Sequence, residues 1–235
     1  FTDSTRYINF TNLNPNMVYR YNVSVYDKSE NSNTTSTRTL TLDSTTPTID
    51  YTSPTETDNV YRNRNWIYVN TSITETNFAN VTFRLYNSTW NLINNTNFTD
   101  STRAINFTNL NSNMIYRYNV TTYDSASNTN TTALRTITLD STNPSISNLI
   151  SNDTDNVTRS NVYLNFTLTT SDTNFANVTL NGTNMTLASN NVYYTVNTTA
   201  QFNCNSDGSC NLIATATDLA GNTNTVNYTL IIDNT

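Results

Sequence analysis

The sequence predicts an all-β chain of tandem two-layer sandwiches, and three observations carry that prediction. An internal repeat runs at an offset of 97 residues. Apolar and polar residues alternate with period two in short runs bounded by Asn, Ser, Asp and Gly clusters, while helix-period patterns are absent. Aromatic and β-branched residues are plentiful, with 15 Tyr and 9 Phe, although only 35% of the chain is hydrophobic and 12% is charged. Asn, Thr and Ser make up about half of it. A chain so low in hydrophobicity suggests disorder, but disorder brings high net charge and few aromatics, and the net charge here is only −6.

The repeat sets the organisation. Residues 1–49 align without a gap on 98–146: "FTDSTRYINFTNLNPNMVYRYNV" returns as "FTDSTRAINFTNLNSNMIYRYNV". The same offset carries "TDNVYR" (57–62) onto "TDNVTR" (154–159), and "NFANVT" (77–82) onto its copy at 174–179. Pro47 and Pro144 each follow an "LDST"-type segment and mark boundaries, because proline donates no hydrogen bond to a preceding strand. The expected units are the C-terminal half of a sandwich at 1–46, a complete sandwich at 47–143 and a second complete one at 144–235. A half unit cannot close its own sandwich. Either residue 1 is a cut through a longer array, or a neighbouring subunit supplies the missing strands by strand addition.

In the middle unit the alternation predicts strands near 48–53, 65–74, 80–87, 89–94, 102–109, 114–123 and 132–140. Seven strands in about ninety-five residues is the count of an immunoglobulin-like or fibronectin type III-like sandwich.

"LNPNMVY" (13–19) resembles the turn of fibronectin type III domains in which a Leu, a Pro two residues on and a Tyr four further precede an alternating strand. Leu13, Pro15 and Tyr19 fit that spacing. "TDLAGNTNTVNYTLIID" (217–233) is similar to the end of the Ig-like repeats found in tandem on bacterial and archaeal surface proteins. The resemblance covers the whole chain through short motifs. It departs at Ser112, which replaces the proline, and no Trp sits between paired cysteines. It implies a rod of Ig-like domains on a cell surface, and the Asn/Thr richness resembles archaeal surface proteins.

"CNSDGSC" (204–210) stands where a third "LNxNMxY" is due, with Cys204 and Cys210 at the Leu and Tyr positions. In a tyrosine corner a Tyr hydroxyl bonds upstream backbone and pins the crossing between sheets. A disulfide would replace that packed aromatic by a covalent staple across an Asp207-Gly208 turn, and would place the chain in an oxidising compartment outside the cytoplasm. The alternatives are two free buried thiols or a metal site, and two cysteines without any His do not complete a zinc shell.

N-x-S/T sequons occur nineteen times, at Asn9, Asn22, Asn33, Asn70, Asn80, Asn87, Asn94, Asn97, Asn106, Asn119, Asn130, Asn152, Asn156, Asn165, Asn177, Asn181, Asn184, Asn197 and Asn227. Chance supplies about fourteen in this composition, so phase is the better test. Met114, Tyr116, Tyr118 and Val120 form an inward set that leaves Asn119 outward, and the flanks of Asn9, Asn70, Asn165 and Asn227 give the same result. Any Asn in a sandwich strand faces water, glycosylated or not. Glycosylation is favoured because a surface so poor in charge gains hydration from sugar, and glycans cover strand edges.

The acidic residues Asp43 and Asp140, Glu75 and Asp172, and Asp27, Asp124 and Asp218 recur in register. Asp58, Asp140, Asp172 and Asp218, with Glu56 nearby, form a candidate calcium set at the junction of two units; the same residue types also serve turns and caps. No other cofactor is expected. With no His, one Lys, no Walker loop, no GxGxxG and no GxSxG, catalysis finds no foothold, and eleven basic residues form no nucleic-acid stripe. No apolar run is long enough to span a membrane.

The expected function is that of a heavily N-glycosylated structural repeat protein of an extracellular filament, sheath, surface layer or stalk, self-associating with identical subunits. The rival expectation is a cell-surface adhesin that binds glycans or another cell.

Overall fold

The computed structural model describes residues 6–235, so the first five residues of the 1–46 segment lie outside the described part. The N-terminal strands are β1 (Met17–Tyr21), β2 (Ser24–Tyr26), β3 (Ser32–Thr34) and β4 (Arg38–Leu42). The middle ones are β5 (Thr48–Tyr51), β6 (Val60–Arg62), β7 (Ile67–Thr74), β8 (Phe78–Tyr86), β9 (Leu92–Phe98), β10 (Ala104–Phe107), β11 (Asn113–Asp124), β12 (Thr129–Thr131) and β13 (Arg135–Asp140). The last are β14 (Ser145–Ser151), β15 (Val157–Thr158), β16 (Tyr163–Ser171), β17 (Phe175–Leu180), β18 (Thr183–Asn184), β19 (Thr186–Ser189), β20 (Val192–Thr198), β21 (Gly208–Asp218) and β22 (Thr223–Ile232). The described part also contains one 3₁₀ turn, Thr199–Phe202, which Thr198 and Gln201 close reciprocally as a capping box.

The middle strands form two sheets in the orders β10-β7-β5 and β6-β13-β11-β8-β9, with β12 beside β11. Alternation decides what lies between them. Ile67 and Val69 from one sheet meet Val81, Phe83, Leu85, Tyr116, Tyr118, Val120, Ile137 and Leu139 from the other, all at most 2% exposed. The C-terminal strands repeat the plan as β14-β16-β20-β19 and β15-β22-β21-β17-β18, around a separate core that includes Phe166, Leu168, Leu180, Phe202, Leu212 and Leu230. The extra strand β19 extends the first sheet, giving the four-stranded-sheet pattern of Ig-like sandwiches.

Two strands, β6 and β12, lie outside the runs that alternation predicts, and β9 is shifted from the expected 89–94 to Leu92–Phe98. Val60–Arg62 is a three-residue strand whose signal is its parallel pairing with β13, through Val60↔Ile137 and Arg62↔Leu139. β9 runs through "NNTN", which has little strand propensity and is held as an edge by its ladder with β8.

In the N-terminal segment β1 and β4 pair Met17↔Leu42 and Tyr19↔Leu40, the register of Met114↔Leu139 and Tyr116↔Ile137 in the middle sandwich. The core positions differ in cover. Tyr118, Val120 and Ile137 are at most 1% exposed, whereas their counterparts Tyr21, Val23 and Leu40 are 41%, 55% and 46% exposed.

Candidate functional site

The tyrosine corner is built twice. In β11, Tyr116 Oη accepts the Asn111 N–H at 2.9 Å and donates to the Asn111 carbonyl at 3.3 Å. In β1, Tyr19 Oη does the same with Asn14 at 2.7 and 3.4 Å. In the C-terminal sandwich Cys204 and Cys210 are joined by a disulfide with Cα atoms 5.7 Å apart, Cys204 being 2% exposed. A loop this short, once opened, costs about 2 kcal/mol on the chain-entropy account. Changing both cysteines to serine is expected to lower the unfolding transition of the C-terminal sandwich by that amount and to leave the middle one in place, as read by calorimetry.

The sequon asparagines are distributed over the surface. None is buried: eleven are exposed and eight half-buried. On β11 and β16, Asn119 and Asn165 occupy the outward phase, and in each the carboxamide oxygen is the buried end, without a hydrogen-bond partner. The nitrogen is the atom that a glycan modifies, and three sites have it engaged. Asn70 Nδ2 donates to the Ser53 carbonyl at 3.1 Å, Asn130 Nδ2 to Pro47 at 3.0 Å and Asn181 Nδ2 to Phe202 at 3.0 Å. Two others lie on the inward phase at sheet margins, Asn94 opposite Leu85 and Asn197 opposite Leu164. Sequence phase did not place these two, because β9 and the end of β20 carry polar residues on both faces.

The acidic residues form two matching clusters. Asp140 at the end of β13, Asp172 after β16 and Asp218 at the end of β21 bring carboxylate oxygens within 4.8 Å of one another, as do Asp43, Glu75 and Asp124. Asp140 and Asp218 are 5% and 3% exposed. Amides tie each cluster across the link between successive units. Asn174 Nδ2 donates to Asp140 Oδ2, and Asn222 Nδ2 donates both to the Asp140 carbonyl at 3.0 Å and to Asp218 Oδ2 at 2.7 Å. Asn77 and Asn128 make the same bonds to Asp43 and Asp124. The Asn77 amide, with the Thr45 N–H, holds the Asp43 carboxyl below the usual carboxylate range.

Asp58 is placed elsewhere. Its Oδ1 accepts the Thr136 N–H at 2.6 Å, at the start of β13, whereas Asp140 ends that strand. Its spacing suggested the junction, but its loop folds to the opposite end of the strand. Glu56 is also committed elsewhere, to Arg62 at 2.7 Å and Arg64 at 3.0 Å, which hold its carboxyl below the usual range.

Among the described residues, no salt bridge involves the clustered carboxylates. Two unit charges ~4.8 Å apart repel by about 3 kcal/mol at an effective dielectric of about 20. A hard dication relieves that repulsion, and carboxylate oxygens are donors that suit calcium.

Strand order, the paired corners and the two-layer cores define the class: tandem Ig-like and fibronectin III-like β-sandwich repeats. No family model and no curated protein matches the chain. Among solved structures it is similar to the fibronectin(III)-like modules of Clostridium thermocellum CbhA, at 12% identity over 79% of this chain and 94% of that one, with a TM-score of 0.47. It is also similar to a tetra-tandem repeat in the extending region of a large adhesion protein, at 18% identity over 93% of this chain and 57% of that one, with a TM-score of 0.38. A third similar structure is from a 1.5-MDa bacterial ice-binding adhesin, at 17% identity over 92% and 73%, with a TM-score of 0.35. No helix among the described residues is long and apolar enough to cross a membrane.

Proposed function

We propose that the chain is an exported, N-glycosylated structural repeat protein, of the kind that builds an extracellular filament, sheath, surface layer or stalk. One observation carries the reading: a surface poor in charge carries nineteen sequon asparagines, and none of them is buried. Sugar at those positions supplies hydration that 12% charged residues do not. The Cys204–Cys210 disulfide supports an oxidising, extracellular setting. Archaeal origin rests on the Asn/Thr-rich composition and the repeat resemblance.

Self-association with identical subunits is part of this reading. Calcium belongs to the same reading. Asp140, Asp172 and Asp218 would hold one ion and Asp43, Glu75 and Asp124 another, each supplying positive charge that locks one unit against the next. Electron microscopy of material purified from its native source is expected to show polymers of regular repeat; dispersed single chains at all concentrations would count against a structural role.

A surface adhesin is the second reading. It is favoured by the features found only in the C-terminal sandwich, the stapled corner and the added strand β19. Selective hits on a glycan array would move the assignment there.

A further inference from the structure

The hairpin between β8 and β9 carries an aromatic group that the sandwich core does not use. Its loop, Asn87 to Asn91, has the build of three sister loops at 27–31, 124–128 and 218–222. In each, the first residue's N–H donates to the fifth residue's carbonyl, and its Oδ1 accepts the N–H groups of the third and fifth residues. The fourth residue has positive φ in all four: Glu30 at 66°, Ser127 at 72°, Gly221 at 87° and Trp90 at 66°. Glycine is the natural occupant of that conformation, and a ring as bulky as indole is an outlier there.

Trp90 is also 57% exposed. Its ring is braced from the protein side only, by the Arg117 guanidinium 4.5 Å from its centroid and by Tyr86, 6.2 Å away and tilted at 55°. Arg117 is itself fixed by donating to the Ser88 carbonyl at 3.2 Å. Cross-strand pairing sets Arg117, Tyr86 and Leu92 side by side, and Leu92 is 49% exposed. The result is a fixed, outward apolar platform at the tip of the hairpin.

The loop that holds Trp90 also begins with a sequon, Asn87-Ser88-Thr89. The Trp90 N–H donates to the Asn87 carbonyl at 3.1 Å, closing a turn that keeps the two Cα atoms within about 7 Å. Sister loops start with Asp, whose Oδ2 accepts the amide of the fifth residue. Here Asn87 has a nitrogen instead, and the Asn91 amide turns to Thr89 Oγ1 at 3.2 Å. No hydrogen bond from Asn87 Nδ2 is found among the described residues, which distinguishes it from Asn70, Asn130 and Asn181.

We propose that the Trp90 platform is the seat of the first sugar carried by Asn87, a pyranose laying its C–H face on the indole while Arg117 and Tyr86 hold the ring in place. The proposal rests on the N-glycosylation reading and names one place where the glycan is ordered by the protein. The sugar then covers the exposed Trp90 and Leu92 and gives the strained tryptophan a contact that no other residue in the loop makes.

The test uses the 235-residue chain secreted from an N-glycosylating host. Glycopeptide mapping reads occupancy, and heteronuclear NMR reads the protons of the sugars at Asn87, Asn33 and Asn227. Sugar protons at Asn87 are expected upfield of those at the other two sites through the indole ring current, and are expected to return to ordinary positions in Trp90→Gly, which suits the backbone as Gly221 does. Asn87 occupied with unshifted sugar overturns the platform and leaves the glycan reading intact. Asn87 bare while other sites are occupied has the same meaning. No occupied site anywhere overturns both. In Thr89→Ala, which removes the sequon, free oligosaccharide that shifts the Trp90 indole resonance would reassign the platform to an external glycan.

Discussion

Phe83→Ala is expected to lower the stability of the middle sandwich by about 3–5 kcal/mol, and to bring that unit close to unfolding while the C-terminal sandwich melts as before. The size follows from position. Phe83 lies at the centre of β8, is fully buried, and meets Phe98 edge to face with centroids 5.9 Å apart. Truncation leaves a cavity between two sheets, and the neighbouring core residues Leu85 and Ile137 are pinned by ladders on either side and cannot collapse into it. The selectivity follows from the two separate cores, which share no buried residue. Calorimetry checks both parts: the middle transition drops by on the order of 20 °C, on 4–8 °C per kcal/mol for a domain of this size. A single transition shifting as a whole would mean that the two cores unfold as one.

Calcium in excess is expected to raise the stability of the wild-type chain by about 2–3 kcal/mol at each of the two clusters once it reaches about a hundred times its dissociation constant. Asp172→Asn separates charge from structure. Asp172 uses Oδ1 to accept the Asn174 N–H at 2.6 Å, and an asparagine keeps that acceptor. Without calcium the variant loses only repulsion from Asp140 and Asp218, so it should be as stable as wild type or slightly more so. With calcium it should lose much of the gain at this junction, while the matching Asp43, Glu75 and Asp124 cluster keeps its own. Differential scanning calorimetry with calcium or a chelator reads all four states. Equal curves with and without calcium would show that the clusters are held by Asn174, Asn222, Asn77 and Asn128 alone.

Much of this was legible in the sequence because the repeat doubles each signal. Tyr19 and Tyr116 stand in one pattern, and both make the corner bond. The inward phase of Tyr116, Tyr118 and Val120 agrees with their burial, since a strand with one buried face admits one register. The rest needed tertiary partners. Val60–Arg62 is too short to alternate and exists by pairing with β13. The acidic residues were visible in register, but which end of β13 each reached was not: Asp58, in the loop before β6, bonds the start of that strand, whereas Asp140 ends it. Asn94 and Asn197 read as ordinary sequons, and only the ladders opposite Leu85 and Leu164 reveal their inward phase. Trp90 was hidden in a polar turn; the clue was that "NSTWN" has the spacing of "DKSEN", "DSASN" and "DLAGN".

Site-resolved glycopeptide mapping of the protein from its native source tests the central claim most directly. Sugar is predicted on outward sequons with a disengaged amide nitrogen, Asn33, Asn119, Asn165 and Asn227 among them. Little or none is predicted on Asn70, Asn130 and Asn181, whose nitrogens are bonded, or on Asn94 and Asn197. A chain recovered without sugar at any sequon, or with sugar concentrated on those five positions, would contradict it.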